Sequence, residues 1–515
     1  MSLRGWLPAR RELLPAAWAA VLLLVAYPPF SLVLPSFVAL VPLVWAIEDA
    51  LRDGRTDREV ARLGYWVGAV VNGVVLYWLV IALWHFTPLS LAGYLASVLI
   101  VLAPGWALAA WAVARVRRRL GVPLWIVFPV VWTAVEWIAH HLGDVRFPWL
   151  GLGSSLTRVP ILVQWADLAG ARGVTLWLAW VNVLLAAVLR RRAWRPAAAV
   201  AVSLALALAY GLWRERTLVM RPVTTVAVVQ PSVDFNEKRA NREKDSLLLQ
   251  LLELTKRADS LPGVRLVAWP EAAVAAFFYD HPHWEQWIAD LAHRTGTPIL
   301  AGALDVQFAA DGSYEYYNAA FFFDSTGSDR THPTYRKKYL VPIVERVPFV
   351  NPRWLGHLKY FGGFGHGDRF PVYPVAGGGF GVLICYESAF EDLARLYRRE
   401  GADFLVNITN DAWYGRTVAA YQHAAHLVMR AIETRVGIAR AANTGISQFV
   451  DPLGHTHQST PLYVERVEAR EVRTTDVRTL YVRWGDWVAL LALAGAGTML
   501  AATFLRRGAT ARLRV

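Results

Sequence analysis

Cysteine is almost missing from this chain. One, Cys385, occurs in 515 residues. That excludes intrachain disulfides and zinc sites of the multi-cysteine kind. Charge is scarce as well: Asp, Glu, Lys and Arg make up 18% of the chain against 55% hydrophobic residues. The mean hydropathy is +0.32, too apolar for an ordinary soluble protein. Acidic residues are the scarcer charge, which leaves a formal net charge of +13. The basic residues flank apolar runs and form no stripe, so nucleic acid is not the expected partner. No metal-ligand or nucleotide-binding motif occurs, and no cofactor is expected. Tryptophan is plentiful, with 24 copies. Together with arginine it suits a membrane interface, where amphipathic rings sit at headgroup depth.

Apolar runs long enough for membrane spans are predicted at Leu13–Tyr27, Ser31–Ile47, Leu63–Trp84, Leu91–Val113, Pro123–His140, Val174–Leu189 and Ala197–Trp213. Pro15, Pro28, Pro29, Pro35 and Pro42 interrupt the first two. An eighth span is predicted at Trp484–Leu505. A cleaved signal peptide is not expected, because further spans follow at once. Arginines cluster in alternate loops. Arg4, Arg10 and Arg11 precede the first span; Arg52, Arg55, Arg58 and Arg62 follow the second; Arg115, Arg117, Arg118 and Arg119 follow the fourth; Arg190, Arg191, Arg192 and Arg195 follow the sixth. Loops such as His85–Ser90 carry almost none. The positive-inside rule then makes the N-terminus cytoplasmic and puts the chain after Trp213 on the outer side. The eighth span returns it to the cytoplasm, where Arg506, Arg507, Arg512 and Arg514 follow. The expected organisation is a transmembrane domain of seven spans over residues 1–213, an extracytoplasmic domain over 220–478, a C-terminal span over 484–505 and a cytoplasmic tail over 506–515.

Residues 220–478 have a different composition, with frequent charges and alternating strand and helix patterns. Strands are predicted at Thr224–Gln230, Val264–Trp269, Pro298–Leu304, Asn318–Asp324, Phe380–Ile384, Asp403–Thr409 and Ile446–Val450. Helices are predicted at Lys238–Arg257, His283–Thr295, Ser388–Arg399 and Tyr421–Ala441, and a turn at Asp451–Gly454. This is an α/β domain large enough for a full core.

Cys385 closes the run Gly381-Val382-Leu383-Ile384 and precedes the helical pattern that Ser388 is expected to cap. A strand end followed by a helix N-terminus offers N–H groups and a favourable dipole for a thiolate. A buried structural cysteine fits the same stretch, so both readings stay open on it alone. Glu271 lies at another strand end, after Trp269-Pro270, and Lys337 lies in Tyr335-Arg336-Lys337-Lys338-Tyr339. Ligands of α/β folds gather at the carboxyl ends of strands. Taken singly, Glu271 reads as a turn carboxylate and Lys337 as one member of a surface basic run.

In order, Trp-Pro-Glu at 269–271, Tyr-x-Lys-x-x-Leu-Val-Pro at 335–342 and Cys-Tyr-Glu at 385–387 resemble the Glu-Lys-Cys triad of the nitrilase (carbon–nitrogen hydrolase) superfamily. Asn407–Gly415 and Arg440–Gly445 resemble the same family. With the predicted spans, and with Phe147–Leu150 and Trp165–Gly170, the chain is similar from end to end to the apolipoprotein N-acyltransferases. That resemblance implies an αββα sandwich on the outer side of a bacterial inner membrane. It implies a phospholipid donor, phosphatidylethanolamine above all, and as acceptor the α-amino group of a lipoprotein's N-terminal diacylglyceryl-cysteine. Glu271, Lys337 and Cys385 become the catalytic candidates. Glu345, Tyr386 and Glu387 become supporting residues: Glu345 for the lysine or the transition state, Glu387 for orienting the site. A monomer is expected. The family's usual Phe-Gly before that glutamate is replaced here by Ile343-Val344, which leaves the local turn open.

The chemistry also follows from the residue types. A thiol needs a base to become a nucleophile at neutral pH, and Glu271 is the candidate. Lys337 and a backbone N–H near Tyr386 would receive the oxyanion. An acyl-thioester on Cys385 would then be attacked by an amine, in ping-pong order. Asn410-Asp411 reads as an Asx-turn. His423 and His426 read as helix packing, because no acidic partner is evident. The apolar loop Ala272–Tyr279 and the Gly-rich loop Phe361–Phe370 read either as covers for acyl chains or as ordinary packing. Glu136, Asp167 and Arg172 are charges in or near hydrocarbon, expected to pair or to meet a headgroup. Two other functions use the same features. A tethered amidase or nitrilase would need the triad but not the spans. A transporter or receptor would need the spans, yet they show no paired broken repeat.

Overall fold

The computed structural model describes residue 8 and residues 10–85, 88–240, 245–327, 331–350 and 362–505. They divide into two compact units, Met1–Arg216 with Trp484–Val515, and Thr217–Arg483.

The first unit is built of helices, the form that satisfies every backbone polar group internally in hydrocarbon. Among the described residues, five are long and apolar enough to cross a membrane: Val33–Arg52, Ser90–Leu120, Ala166–Arg191, Trp194–Thr217 and Trp487–Leu505. Asp57–Val75 and Trp78–Trp84 form a further candidate, bent by 61° at its break. Two predicted spans are short here, as the apolar helices Glu12–Ala26 and Leu124–Ala139. Local chemistry fixes some of the ends. Thr56 Oγ1 accepts from the Glu59 N–H at 3.3 Å, and Glu59 Oε2 accepts from the Thr56 N–H at 2.8 Å, a reciprocal cap for Asp57–Val75. The charges expected near hydrocarbon are paired inside this unit. Arg172 bonds Glu136 and lies 2.6 Å from His140 Nδ1. Asp167 pairs with Arg214 at 2.7 Å and accepts from the Tyr210 hydroxyl at 2.8 Å. Arg4, Arg506, Arg507, Arg512 and Arg514 lie outside the described residues.

The second unit holds two sheets. Its strands are β1 (Arg221–Gln230), β2 (Val264–Ala268), β3 (Val274–Phe277), β4 (Ile299–Phe308), β5 (Tyr314–Phe323), β6 (Tyr335–Arg336), β7 (Tyr373–Val375), β8 (Gly378–Ile384), β9 (Phe404–Thr409), β10 (Gly437–Ala442), β11 (Gln448–Val450), β12 (Thr456–His457) and β13 (Arg466–Thr474). One sheet runs β13-β1-β2-β4-β5-β6, with β3 also paired to β4; the other runs β12-β11-β10-β9-β8-β7. The centres are parallel, β1 with β2 and β4, and β8 with β9 and β10. Antiparallel strands close the edges. Helices Asp245–Asp259 and Pro282–Thr295 cover the first sheet, and Glu391–Arg399 and Val418–Thr434 cover the second. Leu248, Leu251 and Leu254 are buried against Val229, Val267 and Ile299, each worth about 1.5–3 kcal/mol. Between the sheets, Phe322 of β5 meets Phe380 of β8 edge-on at 5.5 Å. The order is helix, sheet, sheet, helix.

Several expectations are corrected. The predicted helix Tyr421–Ala441 ends at Thr434, where Arg435 turns left-handed at φ 56. Gly437–Ala442 is instead β10, buried along its whole length and paired in parallel with β9. Its alanines and arginine favour a helix in isolation, and sheet pairing overrides that preference. Lys238–Arg257 is two helices, Phe235–Ala240 and Asp245–Asp259, and residues 241–244 lie outside the described set. Ser388 caps no helix: Cys385–Ala389 is a 3-10 turn, and the helix starts at Glu391 after Phe390. The loop Ala272–Tyr279 contains β3, and Ala273, Val274, Ala276 and Phe278 belong to the core. Ordinary packing therefore accounts for most of it. Phe361 of the Gly-rich loop lies outside the described residues.

Candidate active site

Strand ends bring the site together. Glu271 follows β2, Lys337 follows β6, Cys385 follows β8 and Asn410 follows β9 directly or within three residues. Each strand is parallel to its neighbours in the sheet centre or returned to that sense by two antiparallel pairings. All four residues thus lie at one end of the sandwich.

Lys337 is buried, and its Nζ lies 3.1 Å from Glu271 Oε1 and 2.9 Å from Glu345 Oε1. Asn318 Nδ2 donates to the same two oxygens, at 2.7 and 2.9 Å. The other oxygens are also occupied. Glu271 Oε2 accepts from the Asn410 N–H at 2.8 Å, and Glu345 Oε2 accepts from the Val341 N–H at 2.8 Å. Burial disfavours the ammonium, but the charges of Glu271 and Glu345 more than offset it and raise its pKa well above the ordinary lysine value. Lys337 is therefore a fixed cation. Gly302 lets Glu271 sit this close to β4: a Cβ there would come within 2.3 Å of the Pro270 carbonyl. The Gly-rich loop is tied to the cluster through its backbone. Phe364 N–H donates to the Glu345 carbonyl at 2.9 Å and Gly367 N–H to the Lys337 carbonyl at 2.9 Å. The Ile343-Val344 variation is absorbed by a left-handed turn at Ile343, φ 72, and the glutamate still reaches the lysine.

Cys385 is fully buried and takes φ 52, a left-handed conformation that costs an ordinary residue about 1–3 kcal/mol. Burial, and next the negative charge of Glu271, push its thiol well above the ordinary value, while Lys337 and a hydrogen bond from Thr409 pull the other way. The sulfur holds its proton at rest. The expected help from a helix N-terminus is not there, since the helix begins only at Glu391. Among the charged groups around the thiol, Glu271 acts on it most strongly.

Glu387 and Tyr386 occupy distinct places. Glu387 accepts from the N–H groups of Ile384 at 2.7 Å, Lys338 at 2.7 Å and Tyr339 at 3.2 Å, and from the Tyr335 hydroxyl at 2.8 Å. It ties the lysine segment to the cysteine turn. Burial pushes its pKa up to about 7 against the pull of those donors and of Lys337. Tyr386 is buried and packs edge-on against Phe390 at 5.1 Å.

Sequence reasoning missed a second buried group. Asp411 accepts from Thr409 Oγ1 at 3.0 Å and from Arg440 at 2.9 Å, and lies 2.9 Å from His423 Nδ1. His423 Nε2 lies 2.9 Å from the Cys385 carbonyl oxygen. The Asx-turn expected at Asn410-Asp411 is present, with the Ala412 N–H donating to Asn410 Oδ1 at 3.4 Å, whereas the reading of His423 as lacking an acidic partner is corrected. Twelve residues separate Asp411 from His423 and 29 separate it from Arg440, so spacing gave no sign of the contact. Asn318 was missed too, although a lone amide within the aromatic strand Tyr314–Phe323 was a visible signal. No group of His, Cys, Asp and Glu suited to a metal ion occurs among the described residues.

Known proteins share both halves of the chain. Residues 225–465 match the carbon–nitrogen hydrolase family, and residues 19–184 match the apolipoprotein N-acyltransferase N-terminal domain. The apolipoprotein N-acyltransferase of Geobacter metallireducens is 34% identical over 97% of this chain and 96% of its own length. That of Brucella melitensis is 32% identical over 88% of this chain and 87% of its own length. That of Chlorobaculum tepidum is 28% identical, covering 92% of each. With the helical unit and the α/β unit both matched, and matched in one continuous relative, the chain belongs to the apolipoprotein N-acyltransferase family.

Proposed function

We propose that this protein is a phospholipid-dependent acyltransferase that N-acylates the N-terminal S-diacylglyceryl-cysteine of apolipoproteins, through a thioester on Cys385. The observation that carries the reading is the buried pair Lys337–Glu271, with Glu345 behind it, acting on a thiol that is protonated at rest. Such a site can start an acyl transfer without metal or cofactor.

In the first step Glu271 takes the thiol proton and Cys385 Sγ attacks an ester carbonyl of the donor. The carbonyl oxygen becomes an oxyanion, received by the Lys337 ammonium and the N–H of Tyr386. Such a donor is worth about 2.7–4 kcal/mol. The C–O bond then breaks, and Glu271 returns the proton to the departing lysophospholipid hydroxyl. In the second step the acceptor's neutral α-amine attacks the thioester carbonyl and gives a proton to Glu271. The C–S bond breaks, the amide forms, and that proton restores the thiol. Glu345 holds Lys337 in place, and Glu387 holds the lysine segment against the cysteine turn.

Phosphatidylethanolamine is the proposed donor. Eight spans are proposed, counting the bent pair Asp57–Trp84 and the two short helices, with both termini cytoplasmic and residues 220–478 on the outer side of the inner membrane. The arginine distribution supports that orientation. Donor and acceptor are both held in the membrane there, so they meet the site by diffusion in two dimensions. A monomer suffices, since one chain supplies every residue of the mechanism. The test is transfer to a synthetic diacylated lipopeptide in phospholipid micelles. The reading expects an N-acylated lipopeptide and a lysophospholipid in equal amounts. Hydrolysis of small amides with no lipopeptide product would point to a tethered amidase instead.

A further inference from the structure

The turn that carries the cysteine is gripped from one side by a single helix. Cys385–Ala389 is a 3-10 turn. Its first carbonyl, that of Cys385, lies 2.9 Å from His423 Nε2, and the Ala389 carbonyl at its last residue accepts from Arg430 at 3.0 Å. His423 and Arg430 both belong to the helix Val418–Thr434. They stand seven residues apart, two turns along one helix face. Each is held from behind. Asp411 and Arg440 fix the His423 ring, and Glu433 pairs with Arg430 at 2.8 Å. All of these side chains are buried.

We propose that His423 is a positioning residue for Cys385, one jaw of a clamp whose other jaw is Arg430. A carbonyl oxygen only accepts, so the bond to Cys385 is one in which His423 Nε2–H donates; on the other side of the ring Nδ1 faces Asp411 Oδ1 at 2.9 Å and Arg440 Nη2 at 3.2 Å. That bond holds the carbonyl of a residue in the left-handed region, which a non-glycine residue leaves when released. Relaxation would swing Sγ and the N–H groups that follow it. A displacement of about 1 Å at reacting atoms costs roughly 10²-fold in rate. The inference rests on the reading of Cys385 as nucleophile. It adds that the nucleophile's backbone is set by a side chain that touches no reacting atom.

The test uses the full-length protein in detergent micelles containing phosphatidylethanolamine, and follows the acyl-thioester on Cys385 by intact mass. His423→Leu fills the space without a donor. His423→Gln can donate from Nε2. At saturating phospholipid, His423→Leu is expected to form the thioester about 100-fold more slowly with KM changed less than about twofold, and His423→Gln to recover to within about tenfold of wild type. Should His423→Leu not fold, His423→Asn replaces it, since its amide reaches Asp411 but not the Cys385 carbonyl. If His423→Leu acylates like wild type, or if the glutamine variant is no faster than the leucine or asparagine variant with unchanged thermal unfolding, the clamp is refuted. A wild-type chain that transfers acyl groups yet never carries one on Cys385 refutes the nucleophile reading instead.

Discussion

Lys337 Nζ lies 2.9 Å from Glu345 Oε1, with both side chains buried. The same ammonium meets Glu271 at 3.1 Å, so one cation serves two carboxylates. Replacing it leaves two buried negative charges facing each other. Lys337→Met is expected to destabilise the protein by about 3–5 kcal/mol and to abolish transfer. Glu345→Gln keeps the shape and the Asn318 neighbour but frees the ammonium from one anchor. It is expected to retain the fold and lose roughly 10²–10³ in the rate of thioester formation. Thermal unfolding and burst kinetics measured side by side check both outcomes.

Gly445 approaches the Asp411 carboxylate so closely that a Cβ there would lie 2.1 Å from Asp411 Oδ2. The nearest atoms are all of the Asp411 side chain, which Thr409, Arg440 and His423 hold in place, so the added methyl must displace the carboxylate. Gly445→Ala is expected to cost about 1–3 kcal/mol of stability and to slow transfer, because Asp411 orients His423. Normal activity and a normal melting curve would show that the group tolerates a shift.

Asp411 also predicts an acid limb. Burial alone would raise its pKa, but Arg440 and His423 outweigh that and lower it below the ordinary aspartate value of 3.8. A carboxylate with a depressed folded-state pKa contributes stability above its unfolded value and loses it as pH falls through the folded one. Wild-type stability should therefore drop on acidification below about pH 4, and Asp411→Asn should flatten that drop while lowering stability at neutral pH. Thermal midpoints across that range provide the check.

Glu271, Lys337 and Cys385 were legible as candidates because each sits beside a strand end with its own short motif. Glu387 and Glu345 were also legible, as positions near those motifs, though not as the bolt and the anchor that they form. Asp411, His423 and Arg440 were not. They come from a loop after β9, a helix and β10, and only the folded sheet brings them together. β10 itself was hidden for a related reason. Gly437–Ala442 reads as the end of a helix until β9 and β11 pair with it on either side. The apolar runs of the first unit were plain, whereas the bend between Val75 and Trp78 left no mark in composition.

The proposed orientation can be read by labelling, since Cys385 is the only native thiol. In a Cys385→Ser background, Arg399→Cys on the α/β unit should react with a membrane-impermeant maleimide in intact cells. Arg119→Cys, at the end of the helix Ala103–Leu120, should react only after permeabilisation. Both positions are exposed. The reverse pattern would invert the topology.

The most direct test of the central claim is the mass of the protein after incubation with phosphatidylethanolamine and no acceptor. The account predicts one added acyl group on Cys385, released by neutral hydroxylamine and discharged when a diacylated lipopeptide is added. Cys385→Ser should carry none and transfer none. Lipopeptide acylation at the wild-type rate by Cys385→Ser would contradict the account.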